Sequence, residues 1–124
     1  MNRLVLVLVG LLLVLSLPLP VAWAGPVDWH EVQATADGRQ WWDGGSLRIN
    51  RNGMLTVLSR FQPAEGDQGE LYVMEIDCGQ RLYRDTAVNG LPRWGAPWQP
   101  VSGDGLIASV MTESCQAANL QSLT

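Results

Sequence analysis

Glu70-Leu71-Tyr72-Val73-Met74-Glu75-Ile76-Asp77-Cys78 decides how this 124-residue chain reads. Tyr72, Met74, Ile76 and Cys78 recur every second residue as a core face, and Glu75 and Asp77 fall on the opposite face, which belongs in water. That alternation is a half-buried β-strand. Downstream the period changes. Ile107, Val110, Met111, Cys115 and Ala118 recur at spacings of three and four, which predicts a helix. Ser102 or Asp104 suits its N-cap and Asn119 its end. Cys78 therefore lies on the core face of the clearest strand, and Cys115 on the apolar stripe of the only predicted helix. Their side chains are expected to meet where that helix packs on a sheet.

Outward from this pair, residues 29–35 alternate and read as a first strand, closed by the turn signal Asp37-Gly38. Residues 39–43 form a short second strand, ended by Gly44-Gly45. Residues 46–50 and 54–61 flank Asn52-Gly53, the strongest short hairpin signal. A two-residue loop there pairs Ile49 with Thr56 and Leu47 with Leu58. Residues 62–69 are a polar loop, Gly79 marks a bulge or tight turn, and residues 81–88 are another strand. Residues 89–101 read as irregular, with at most one short strand.

The N-terminus has a different character. Arg3 precedes a Leu/Val run over residues 4–17, two prolines and Ala22-Trp23-Ala24. That order is a secretory signal peptide, cleaved before Gly25. The run is shorter than the roughly 20 residues of a membrane span, and no cysteine lies near the cleavage point to carry a lipid. The expected mature product, residues 25–124, is one small domain in the periplasm or outside the cell, with no stable membrane span. It holds seven arginines and no lysine against twelve carboxylates, a net charge of −5. Such a domain lacks the basic face of a nucleic-acid binder.

Export places Cys78 and Cys115 in an oxidising compartment. Two cysteines there read most simply as one disulfide; metal ligation, an intermolecular bridge and free thiols are the alternatives. No C-x-x-C is present, and the one histidine, His30, is distant, which disfavours zinc. A bridge would close a loop of about 38 residues, worth roughly 4 kcal/mol by chain entropy.

A family resemblance rests on Trp29, the run Trp42-Asp43-Gly44-Gly45-Ser46-Leu47-Arg48, the Asp77-Cys78 strand end, Tyr83-Arg84, Trp98 and Cys115. In this order they resemble the surface-adhesin protein E family of bacterial envelope proteins, over about residues 27–115. The resemblance implies an α+β fold: a curved antiparallel sheet of about six strands, with one C-terminal helix packed on it and tethered by a Cys78–Cys115 disulfide.

Candidate chemistry is sparse. His30 lies on the first strand without an oriented partner and reads as a surface residue. Glu75 and Asp77, about 7 Å apart on one strand face, have a spacing compatible with acid–base work, but read as a solvated face. Glu65, Asp67 and Glu70 lack the dense ligand register of a calcium loop. No nucleotide, metal or nucleophile motif is present, so no cofactor is implied. The tryptophans carry more information. Exposed Trp and Arg are enriched at binding hot spots, which makes Trp41, Trp42, Arg81, Arg84, Trp94 and Trp98 the candidate binding surface. The reading that follows is an exported, non-enzymatic binding module for an unidentified protein or envelope ligand, monomeric or weakly dimeric. The alternative is a periplasmic inhibitor or accessory protein of a cell-wall enzyme. A small hydrolase using His30 or Glu75 and Asp77 is the remaining reading.

Overall fold

A computed structural model describes residues 25–66 and 68–122. The expected signal segment, residues 1–24, lies outside the described residues, as does Asp67. The strands are β1 (Trp29–Glu31), β2 (Gly38–Asp43), β3 (Arg48–Ile49), β4 (Leu55–Pro63), β5 (Glu70–Asp77), β6 (Leu82–Val88), β7 (Leu91–Pro92) and β8 (Gln99–Pro100). One helix follows, α1 (Gly105–Ser122). The strands form a single open sheet in the order β1-β2-β4-β5-β6-β7, with β3 added to β4 and β8 to β6. Every pairing is antiparallel.

The helix covers one face of this sheet, mainly over β2 and β4. Leu106, Val110 and Met111 pack there with Trp42, Leu55, Val57, Met74, Ile76 and Tyr83. The sheet residues alternate along their strands, as period-two burial requires. Leu106 is more deeply buried than the expected Ile107. Asp104 is the N-cap: its Oδ1 accepts the Ile107 N–H at 3.0 Å. The helix runs on past Asn119 to Ser122, since no glycine or proline follows to stop it. Cys78 and Cys115 form the disulfide that joins the turn after β5 to the helix.

The Asp43/Ser46 motif has a structural role. Asp43 is buried, and its Oδ1 accepts the N–H groups of Asp28 and Gly45 at 2.8 and 2.9 Å. Ser46 Oγ donates to Asp43 O and accepts the Leu58 N–H, both at 2.9 Å. A Cβ on Gly45 would lie 2.2 Å from the Pro26 carbonyl oxygen, so only glycine lets the N-terminal segment pass there.

Several local expectations are corrected. β1 stops at Glu31, although the Val32 N–H still reaches Gln40 O at 3.0 Å. The β3–β4 loop has three residues, not two: Arg48 pairs with Thr56 and Ile49 with Leu55. Asn50 sets this register, because its Oδ1 accepts the N–H groups of Asn52 and Met54 at 3.0 Å. Only Gly53 in that loop takes a positive φ, +79°. The one-residue slip puts Ile49 on the same face as the buried Leu55 instead of beside Thr56, yet it stays 59% exposed. The two-residue Asn-Gly turn occurs instead at Asn89-Gly90, with φ values of +51° and +81°, between the paired Val88 and Leu91. The expected irregular stretch thus carries two short strands, both on the outer edge of β6. After β5 the left-handed residue is Arg81, at φ +56°, and not Gly79.

Replacing both Cys78 and Cys115 by Ala is expected to lower unfolding stability by about 4 kcal/mol, the entropy of closing a loop of this length. Urea titration of the oxidised protein and the double variant measures the difference.

Candidate binding surface

Helix α1 covers one face of the sheet, and the opposite, outer face presents arginine, tryptophan and aliphatic side chains. Register places Trp41, Arg60 and Leu71 in one row across β2, β4 and β5. Two guanidinium groups, those of Arg39 and Arg60, lie over the Trp41 ring, each 4.8 Å from its centroid. Arg39 also forms a two-pronged pair with Glu31 at 2.7 and 2.9 Å. The hydrogen bond and charge of Arg39 pull the Glu31 carboxyl below its usual range.

A second row holds Thr56, Glu75 and Arg84, about 13 Å further along β5. Glu75 corrects an expectation. It is not on a solvated face: its side chain is 12% exposed, and its Oε1 accepts from Arg84 Nη2 at 2.9 Å. The segment between β7 and β8 in turn holds Arg84, the partner of Glu75. Arg84 lies 4.3 Å from the Trp98 ring centroid, and its Nη1 donates to the Ala96 carbonyl at 3.4 Å. The Arg84 Nε is buried without a hydrogen-bond partner. Arg84, Thr86, Arg93 and Trp94 line a cavity of about 190 Å³ beside this stack. Trp94 is 91% exposed.

The six candidate residues therefore separate. Arg84, Trp94 and Trp98 come together on the outer face, and Trp41 lies on the same face with Arg39 and Arg60 over its ring. Trp42 belongs to the core: it is 5% exposed, stacked on His30 at 4.3 Å, and its Nε1–H donates to Glu113 Oε1 at 3.2 Å. Adjacent strand residues point to opposite faces, so only one tryptophan of that pair is available outside. Arg81 lies in the β5–β6 turn, with its Nη2 3.5 Å from Thr112 Oγ1 on the helix. Sequence reasoning missed Arg39 and Arg60, which join Trp41 only once the β2–β4 register is known.

His30 Nε2 lies 2.9 Å from Asp28 Oδ2, and Asp77 Oδ1 accepts the Gln80 N–H at 3.0 Å. Among the described residues no group of three or more His, Cys, Asp or Glu could hold a metal. No helix among them is long and apolar enough to cross a membrane.

A larger cavity, about 400 Å³, opens on the helix side, between the start of α1 and the sheet. Phe61, Tyr72, Met74, Leu106 and Ile107 give it apolar walls, and Asp37, Gln40, Asp85 and Asp104 give it polar groups. A β-bulge creates this arrangement. Asp85 pairs with Met74 while Ala87 pairs with Val73, which leaves Thr86 as the extra residue. Burial pushes the Asp85 carboxyl up, against a smaller opposing pull from Arg93. Tyr72 donates to Glu70 Oε2. Its hydroxyl is raised by burial first, then by that hydrogen bond.

A family model described as the surface adhesin-E family matches residues 30–122. No curated protein and no solved structure matches the chain.

Two outcomes test this geometry. Glu75→Ala strands the Arg84 guanidinium beneath Trp98 and is expected to cost about 1–3 kcal/mol in urea unfolding, and Glu75→Gln less. Asp85→Asn acts in the other direction. The folded state holds the Asp85 pKa above its unfolded value, so its ionised form destabilises the fold at neutral pH. The variant is expected to melt at a higher temperature than wild type at pH 7. That gain shrinks as pH falls through the raised pKa, which calorimetry across pH checks.

Proposed function

The chain belongs to the surface adhesin-E family, and from that premise we propose that it acts as an exported, non-enzymatic interaction module. It engages an external macromolecule through the outer face of its sheet. The observation that carries this reading is Trp94, 91% exposed at the tip of a segment anchored by Arg84, Trp98 and Ala96. A large aromatic ring held out on a rigid base loses little freedom on binding and buries much apolar area. The cavity lined by Arg84 and Arg93 adjoins it. Together they have the Trp/Arg composition of an interaction hot spot.

Two further observations support export. The Cys78–Cys115 bridge belongs in an oxidising compartment, and residues 1–24 have the order of a cleaved signal. On this reading residues 25–124 are the working domain. The carboxylates most suggestive of acid–base chemistry are engaged structurally, Glu75 by Arg84 and Asp77 by the Gln80 N–H.

The test is saturation binding of the oxidised mature domain to a panel of immobilised extracellular-matrix proteins and cell-wall polymers. Saturable binding is expected to at least one member. Trp94→Ala is expected to weaken it by about thirtyfold, the scale of one hot-spot residue, without changing the melting temperature. A panel without saturable binding, or binding that Trp94→Ala leaves unchanged, overturns the proposal.

A further inference from the structure

The cavity on the helix side is separate from the outer face, and its chemistry is different. Its volume, about 400 Å³, lies within the range of small-molecule sites. The walls divide by character. Phe61, Tyr72, Met74, Leu106 and Ile107 supply apolar surface, and Asp37, Asp85 and Asp104 supply three carboxylates. None of the lining residues is cationic.

The carboxylates are not equivalent. Asp104 already serves the helix, since its Oδ1 accepts the Ile107 N–H. It also offsets the positive end of the helix, which would otherwise favour an anion. Asp85 is half-buried, and among the described residues it takes no hydrogen bond and no ion pair. The groups acting on it are few. Met74 is its cross-strand partner, Tyr72 and Tyr83 lie within its electrostatic reach, and Arg93 is the cation that acts on it. Arg93 itself lines the other cavity and makes no ion pair with Asp85. A carboxylate withdrawn from water without a partner is costly, and a ligand cation that pairs with it recovers that cost.

We propose that this cavity is a binding site for a small organic amine, with its ammonium group against the Asp85 carboxylate and its apolar body between Phe61, Tyr72 and Ile107. The apolar walls select for a hydrophobic body of modest size, and the carboxylates select for positive charge. Aromatic side chains beside the ammonium add to its stabilisation.

The probe is 2-phenylethylamine, titrated into the oxidised mature domain and followed by amide NMR. Saturable binding in the millimolar range or tighter is expected, with shifts concentrated at Phe61, Tyr72, Asp85 and Ile107. The isosteric alcohol 2-phenylethanol is expected to bind about tenfold more weakly, and 3-phenylpropionate more weakly still. Asp85→Asn, a variant expected to be more stable than wild type, is expected to lose about tenfold in amine affinity and to keep its weak affinity for the alcohol. Equal affinity for the three probes overturns the proposal. So does an absence of saturable amine binding, or amine binding unmoved by Asp85→Asn. The charge series on wild type stands without any variant. Trp94→Ala is expected to leave amine binding unchanged, so failure of the outer-face reading and failure of this one are told apart.

Discussion

The packing of α1 on one face of the sheet is the constraint on which the rest depends. Among the described residues this is a two-layer structure, one sheet and one helix. A sheet can bury only the face that something covers. Leu106, Val110 and Met111 supply that cover for Trp42, Leu55, Val57, Met74 and Ile76, and the Cys78–Cys115 bridge holds the helix to the turn after β5. Small domains bury a limited share of their surface and gain much from one covalent staple. With the helix committed to one side, the outer face has no second layer. It is left to arginine, tryptophan and a folded-back segment.

That outer face explains why the cationic residues sit where they do. Arg39 and Arg60 both lie over Trp41, and Arg84 contacts both Glu75 and Trp98. Guanidinium planes cover aromatic surface and keep their charge near water, which suits a sheet face that is neither core nor fully solvated. The helix side has the opposite sign, with Asp37, Asp85 and Asp104 around one cavity. A single sheet thus separates an arginine-rich surface from a carboxylate-lined cleft, inside a chain whose net charge is only modestly negative.

The two Asn-Gly pairs show where local sequence signals stop. Both occur between strand-forming runs, yet only Asn89-Gly90 makes the two-residue turn. At Asn52-Gly53 the side chain of Asn50 captures two backbone N–H groups and draws one more residue into the loop. Dipeptide chemistry permits a turn type, and the hydrogen bonds of a residue outside the dipeptide select it. Glu75 makes the same point for the site. Its alternation correctly placed it opposite Met74 and Ile76, but alternation does not say which side chains meet it on that face. Arg84 does, and Trp98 and Ala96 in turn hold Arg84.

By itself the sequence determined the class of the fold, the strand carrying Met74 and Ile76, the helix after Asp104 and the meeting of Cys78 with Cys115. These rest on periodicity and on short-range chemistry, which a linear string records directly. The family membership was legible for a related reason, since Asp43, Ser46, Tyr83 and the cysteines each hold a fixed structural station. Tertiary structure alone decided which tryptophan of the Trp41–Trp42 pair is outside, that Arg60 lies over it, that Glu75 is paired with Arg84, and that a bulge at Thr86 brings Asp85 into a cleft with Phe61 and Ile107. Each of those depends on strand register or on a long-range return of the chain. Register is set by turns and bulges that shift every side chain after them, so its consequences are decided far from the residues they concern.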